Sequence, residues 1–200
     1  CSIMNGYVSL RNKIFKILKT QLPPHLHYHG IHHTLDALKV CNAYIRREKI
    51  DGYRARLLRL AVLLHDIGFV KSVENHEETG AEMADELMKE FGFSKEDIAQ
   101  VQKMILATKI PQMPKNQLEK IICDVDLDYL GRADYHPISE LLFAELNESG
   151  KIKRKKEWIK IQIGFLKTHT YHTEYAKRFR EPNKRARIEE LEDDLIKGNF

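Results

Sequence analysis

Leu57-Leu58-Arg59-Leu60-Ala61-Val62-Leu63-Leu64-His65-Asp66 is the stretch on which the reading of this chain turns. Up to Leu64 every residue but Arg59 is apolar, which leaves almost no face for water. A helix of that kind belongs at the centre of a helical core. It then ends on an imidazole and a carboxylate, groups whose burial beside hydrocarbon is costly unless something pairs with them. Capping the helix end and bonding each other would satisfy them; so would a cation.

Working outward, the periodicity is helical almost throughout. Ile3, Tyr7, Leu10, Ile14, Ile17 and Leu18 recur at the spacing of one helical stripe, which predicts a helix over residues 3–22 stopped by Pro23-Pro24. Helices are expected at about 32–49, before the Asp51-Gly52 turn, and at 53–67, with Gly68 as the terminating glycine. Others are expected at 76–91, closed by Gly92, and from Ser94, whose Ser94-Lys95-Glu96-Asp97 resembles a capping box, to about Thr108. Beyond the loop holding Pro111 and Pro114, helices are expected at 116–130, ending at Gly131, and from His136-Pro137 to Gly150. Two charged helices, 153–180 and 184–197, are expected around a Pro182 break. No internal repeat and no convincing alternating strand is present, so the fold class is all-α.

The composition fits an ordinary globular protein: 200 residues, 42% hydrophobic, 31% charged, net charge +4. That mild balance argues against a nucleic-acid partner. The dense basic run Lys151–Lys156, with Trp158 beyond it, could track phosphates while the indole stacks on a base, but Glu157 and the acidic run Glu189–Asp194 balance it as a solvated surface. No apolar run approaches a membrane span and no secretory signal is present. Cys1, Cys41 and Cys123 lack CxxC spacing and read as reduced thiols, pointing to a cytoplasmic protein. Because the chain starts with Cys, an upstream domain missing from it is an expectation to carry forward.

Histidine is the compositional anomaly, with 10 in all and five of them between His25 and His33. His29 and His33 lie four apart in Tyr28-His29-Gly30-Ile31-His32-His33-Thr34. Downstream, Asp124-Val125-Asp126-Leu127-Asp128 sets three carboxylates within apolar helical sequence. At about 100° per residue Asp124 and Asp128 share a face and Asp126 points away from it. Two imidazoles and two carboxylates from three helices make a mixed N/O set suited to a six-coordinate divalent ion.

In this order the residues resemble the HD superfamily of metal-dependent phosphohydrolases, whose pattern is His … His-Asp … Asp on an all-α scaffold. The resemblance covers about residues 23–132 and implies a multi-helix bundle around a metal site, flanked by an N-terminal helix over 1–22 and a helical extension over 133–200. It implies His33, His65, Asp66 and Asp126 as metal ligands. Tyr28-His29-x-x-x-His33 matches the family lead-in, and Val125-Asp126-Leu127 matches the setting of the last Asp; Asp124 and Asp128 remain register alternatives. It further implies one divalent ion (Mn, Fe, Co, Ni, Zn or Mg) and attack by metal-bound water, with Asp66 in the catalytic set, on a phosphoester of a nucleotide or small phosphorylated metabolite. The ester could be a monoester or a diester.

His29 matches the general acid of the cyclic-nucleotide phosphodiesterase branch, and an imidazole suits that task. Lys71 could reach a phosphate as a compact cation; Lys109, Arg132 and Arg46-Arg47 are weaker candidates. His76, opening His76-Glu77-Glu78-Thr79-Gly80, resembles an element of two-metal relatives, but Met104–Lys109 lacks the histidines those relatives use. A second metal is therefore less expected, and His76 is read as a substrate contact or a helix cap. Some nucleotidases carry an acid three residues after the His-Asp pair, where this chain has Phe69; Glu74, Glu77 or Glu78 could substitute. A regulatory or ligand-binding HD domain from a longer signalling protein is the alternative to an enzyme.

Overall fold

The computed structural model describes residues 2–200, with side chains from residue 6 onward; Cys1 and the side chain of Ile3 lie outside the described residues. The helices are α1 (Ser2–Gln21), α2 (Ile31–Arg47), α3 (Gly52–Leu64), α4 (His76–Glu90), α5 (Lys95–Ala107) and α6 (Gln117–Asp126), then α7 (Tyr135–Glu148), α8 (Lys155–Thr168), α9 (Glu174–Phe179) and α10 (Glu181–Lys197). Short 3-10 turns follow α3 (Ile67–Val70) and α6 (Asp128–Gly131). No strand occurs among the described residues, so the protein is all-α. None of these helices is long and apolar enough to cross a membrane.

The chain divides between Asp126 and Leu127 into two compact units. In the first, α3 is the central element: Leu58, Leu60, Ala61, Val62, Leu63 and Leu64 are fully buried. It packs against α1, α2, α5 and α6. Burial of that many aliphatic side chains, each contributing about 1.5–3 kcal/mol, makes this helix a large contributor to the unit's stability. Its lone charge within the apolar run, Arg59, donates from Nε to Asn42 Oδ1 at 2.8 Å. Asp51 caps its start by accepting from the Tyr53 and Arg54 amides at 3.1 and 3.0 Å. Ser94 caps α5 as its sequence predicts, accepting from the Asp97 amide at 3.1 Å.

α3 stops at Leu64, earlier than expected. The Val62 carbonyl accepts a hydrogen bond from the His65 ring Nδ1–H at 2.6 Å, and Asp66 leaves helical geometry at φ −108°, ψ 6°. Gly68 therefore sits inside a 3-10 turn rather than ending an α-helix. Its role is close approach: a Cβ there would lie 1.9 Å from the His76 carbonyl oxygen, so only glycine lets this turn press onto the start of α4. α6 likewise ends at Asp126 and hands over to its own 3-10 turn, which breaks the continuous helix expected over 116–130.

The second unit holds α7 to α10. Trp158 is buried near Phe143, with ring centroids 6.2 Å apart, so its indole is not available to stack on a nucleic-acid base. Lys155, in the same basic run, pairs with Glu140. Tyr135 and Ser139 hydroxyls both donate to Gln162 Oε1, at 2.7 and 2.6 Å. The buried Lys184 donates to the His169 carbonyl at 2.6 Å and pairs with Glu181 at 3.0 Å. The helix expected over 153–180 is broken at His169, whose backbone is extended, and restarts where Thr173 accepts from the Ala176 amide at 3.2 Å. The break expected around Pro182 falls at Arg180, between α9 and α10, and Pro182 itself is helical. It lies in the first turn of α10, where a missing N–H has no helical partner to lose.

Two glycines test this packing. Gly68→Ala should destabilise by about 1–3 kcal/mol, because the turn and α4 must separate. Gly164→Ala, in mid-α8 with nothing within 4 Å of the added methyl, should instead stabilise by up to about 1 kcal/mol. Urea denaturation should move the two midpoints in opposite directions; a Gly68→Ala chain as stable as the parent would contradict the close-approach account.

Candidate metal centre

Three helices of the first unit bring four side chains to one point. His33 comes from the first turn of α2, His65 and Asp66 from the end of α3, and Asp126 is the last residue of α6. His33 Nε2 lies 3.1 Å from Asp126 Oδ1 and 3.3 Å from His65 Nε2. His65 Nε2 is also 3.2 Å from both Asp126 Oδ1 and Asp66 Oδ2. Asp66 Oδ2 is 3.5 Å from His33 Nε2. His33, His65 and Asp66 are buried, and ligand atoms of these three all lie within 4.8 Å of one another.

The tautomer of His65 follows from its other nitrogen. Nδ1–H donates to the Val62 carbonyl, so neutral His65 presents the Nε2 lone pair to the cluster, as orientation by an outer partner does at metal sites. His33 is held from the side by the Tyr28 ring, with centroids 4.8 Å apart.

The electrostatics point to a missing positive charge. Burial pushes the Asp66 and Asp126 carboxyls up and the His65 imidazole down, yet their mutual attraction wins. Asp66 is held well below the usual carboxylate range by His65, then His29 and His33, and Asp126 by His65 and His33. Asp66 and Asp126 in turn hold His65 well above its ordinary value. Asp66 Oδ2 nevertheless has no hydrogen-bond donor although it is buried. An unsatisfied buried carboxylate oxygen is costly, and a divalent ion among these four side chains would satisfy it and displace the trapped proton. By donor type, burial and this orphaned oxygen, the residues fit a divalent metal.

Around the cluster, His76 Nε2 lies 3.6 Å from Asp66 Oδ1 and 3.4 Å from Glu77 Oε1. The Phe69 ring stacks on His76 at 3.9 Å and lies 4.3 Å from the half-buried His29, so one aromatic wedge contacts both imidazoles. His29 and His33 centroids are 6.3 Å apart. Lys71 is exposed at the end of the 3-10 turn, and its Nζ makes no hydrogen bond or ion pair among the described residues. Lys109 pairs with Glu78, and Arg132 with Asp134 at 2.6 Å.

Asp126 is the member of the Asp124, Asp126, Asp128 trio that reaches His33 and His65. Asp124 is fully buried within α6, and Asp128 accepts from Arg180 Nε at 2.8 Å. Sequence reasoning missed two features of the site, the Val62 carbonyl and the stacking role of Phe69. Neither carries a spacing signal, since a backbone acceptor has no residue type and Phe69 registered only as the absence of an acid.

A family model for the HD domain matches residues 30–129, half of the chain. No curated protein and no solved structure matches it. The matched span holds all four residues of the cluster, in the order that the family pattern requires, and the chain belongs to the HD superfamily of metal-dependent phosphohydrolases.

Proposed function

We propose that this protein hydrolyses a phosphoester of a nucleotide or small phosphorylated metabolite, using one divalent ion held by His33, His65, Asp66 and Asp126. The observation that carries the reading is the buried Asp66 Oδ2, which lacks a donor yet stands 3.2 Å from His65 Nε2 and 3.5 Å from His33 Nε2. A bound divalent ion supplies polarisation of a phosphoryl oxygen and a lowered pKa for water.

The chain's own residues do the rest. Asp66 and Asp126 stay ionised and fix the charge of the site. His65 is held in one tautomer by Val62. His29, half-buried against Phe69, protonates the leaving oxygen, a task for which an imidazole is suited near neutral pH. His76, stacked on Phe69, lies near Asp66 Oδ1 and orients either that carboxylate or the substrate. Lys71, exposed and without an ion partner, stabilises charge on the phosphoryl group. The buried free thiols of Cys41 and Cys123 support a cytoplasmic setting.

Replacing His65 or Asp66 with Ala should abolish both metal retention, read by elemental analysis, and hydrolysis of monoester, diester and nucleotide substrates. His29→Gln should keep the metal and lower kcat by roughly 10²-fold or more. EDTA should abolish turnover and Mn²⁺ restore it. Full activity in His65→Ala would defeat the reading; tight metal with no turnover on any substrate would instead make this a ligand-binding HD domain.

Stability should follow pH in a defined sense. With its pKa raised on folding, His65 contributes fully below its unfolded value, about 6.5, and loses that contribution as pH rises through the folded value. Asp66 and Asp126, with lowered values, contribute above about pH 4 and lose it as pH falls. Thermal unfolding of EDTA-treated protein should therefore show its stability maximum on the acid side of neutrality, and Mn²⁺ should move the maximum upward. A profile that Mn²⁺ leaves in place would contradict the ligand set.

A further inference from the structure

A cavity of about 180 Å³ opens in the first unit at the far end of α3 from the metal cluster, where α3, α5 and the start of α6 meet. By volume it has room for about six waters at about 30 Å³ each. It is lined by Arg54, Lys103, Gln100 and Asn116, with Met104 and Leu118 as an apolar floor. No carboxylate lines it. Arg54 and His65 stand at opposite ends of α3, about 16 Å apart at roughly 1.5 Å per residue. Leu118 and Asp126 are likewise separated along α6.

The groups around this cavity are set for an anion. The Arg54 guanidinium is held by donating from one terminal nitrogen to Gln117 Oε1 at 2.9 Å, which leaves other N–H groups of its fork to donate. Lys103 is exposed and makes no hydrogen bond or ion pair among the described residues. The acids nearby are already engaged. Asp51 caps α3 and stands 3.8 Å from the other terminal nitrogen of Arg54, and the buried Glu119 accepts from the Lys115 and Asn116 amides at 2.9 and 3.0 Å. Asn116 Oδ1 accepts from the Glu119 amide at 3.0 Å, which leaves its NH₂ as a donor. Both helix starts are thus capped from within the chain, and recognition falls to the two cations and two amides. A guanidinium fork with an ammonium is the pairing that suits a phosphoryl group. Met104 and Leu118 offer an adaptable apolar surface to whatever the phosphoryl group is attached to.

We infer that this cavity is a second binding site, separate from the metal cluster, for a small organic phosphate whose phosphoryl group is held by Arg54 and Lys103 and whose apolar part rests on Met104 and Leu118. The probe is phenylphosphonate, which has no ester bond to hydrolyse, titrated calorimetrically into the EDTA-treated full chain. Neither metal nor turnover is needed, so the result stands apart from that for the hydrolase reading. Saturable binding with one site per chain is expected, weakened about tenfold or more by Lys103→Gln and by Arg54→Gln, the loss that one charge-assisted hydrogen bond carries. Lys103 is exposed, so its substitution should leave the unfolding midpoint unchanged and keep the comparison clean. Absence of saturable binding to the parent chain would overturn the inference. Binding that both substitutions leave unchanged would also overturn it, by placing the phosphonate elsewhere.

Discussion

Two carboxylates, Asp66 and Asp126, are folded against two imidazoles at the end of the central, buried helix α3, and the first unit is arranged around that constraint. Burial opposes charge on His65, Asp66 and Asp126 alike. Their mutual attraction outweighs it, so the two carboxyls are held low and the His65 imidazole high, and a divalent ion among them would displace the imidazole proton. Such an ion would also satisfy the donor-less Asp66 Oδ2. Groups this close in low-dielectric surroundings stay together only if the scaffold leaves them no alternative.

The scaffold does so by rigidity at three points. The packed flanks of α3 fix where His65 and Asp66 emerge, and the Val62 carbonyl turns His65 so that Nε2 faces inward. The 3-10 turn after α3 presses onto α4 through Gly68, which carries Phe69 and His76 to the rim of the cluster. The end of α6 at Asp126 delivers the fourth group from a separate helix. Each of these devices ends a regular helix at the site. The chemistry thus stands where backbone regularity stops and side chains can converge from different directions.

Much of this was legible in sequence because it is written as pattern. The run Leu57–Leu64 announces a buried helix by leaving no polar face, and His65-Asp66 stands out by contrast with it. The four-residue step from His29 to His33 within the Tyr28 lead-in separates His33 from its histidine neighbours. The helix start at Ser94 was readable because capping is local chemistry, whereas Asp51 read as a turn and proves to cap α3. The 3-10 turns were not readable, since a helix and a tightened turn share the same apolar spacing over a few residues. The break at His169–Thr173 was hidden by Pro182, which looked like the stronger signal but lies where proline is tolerated. Helical geometry alone leaves Asp124, Asp126 and Asp128 each a candidate; the family resemblance selects Asp126, and the path of α6 brings that residue to His33 and His65.

The central claim is that His33, His65, Asp66 and Asp126 together hold one divalent ion. Diffraction from crystals grown with Mn²⁺, with anomalous differences recorded at the manganese edge, addresses it most directly. The account predicts one strong anomalous peak about 2–2.3 Å from Nε2 of His33, Nε2 of His65 and carboxylate oxygens of Asp66 and Asp126. An empty cluster in the presence of saturating Mn²⁺, or an ion held by other side chains, would contradict it.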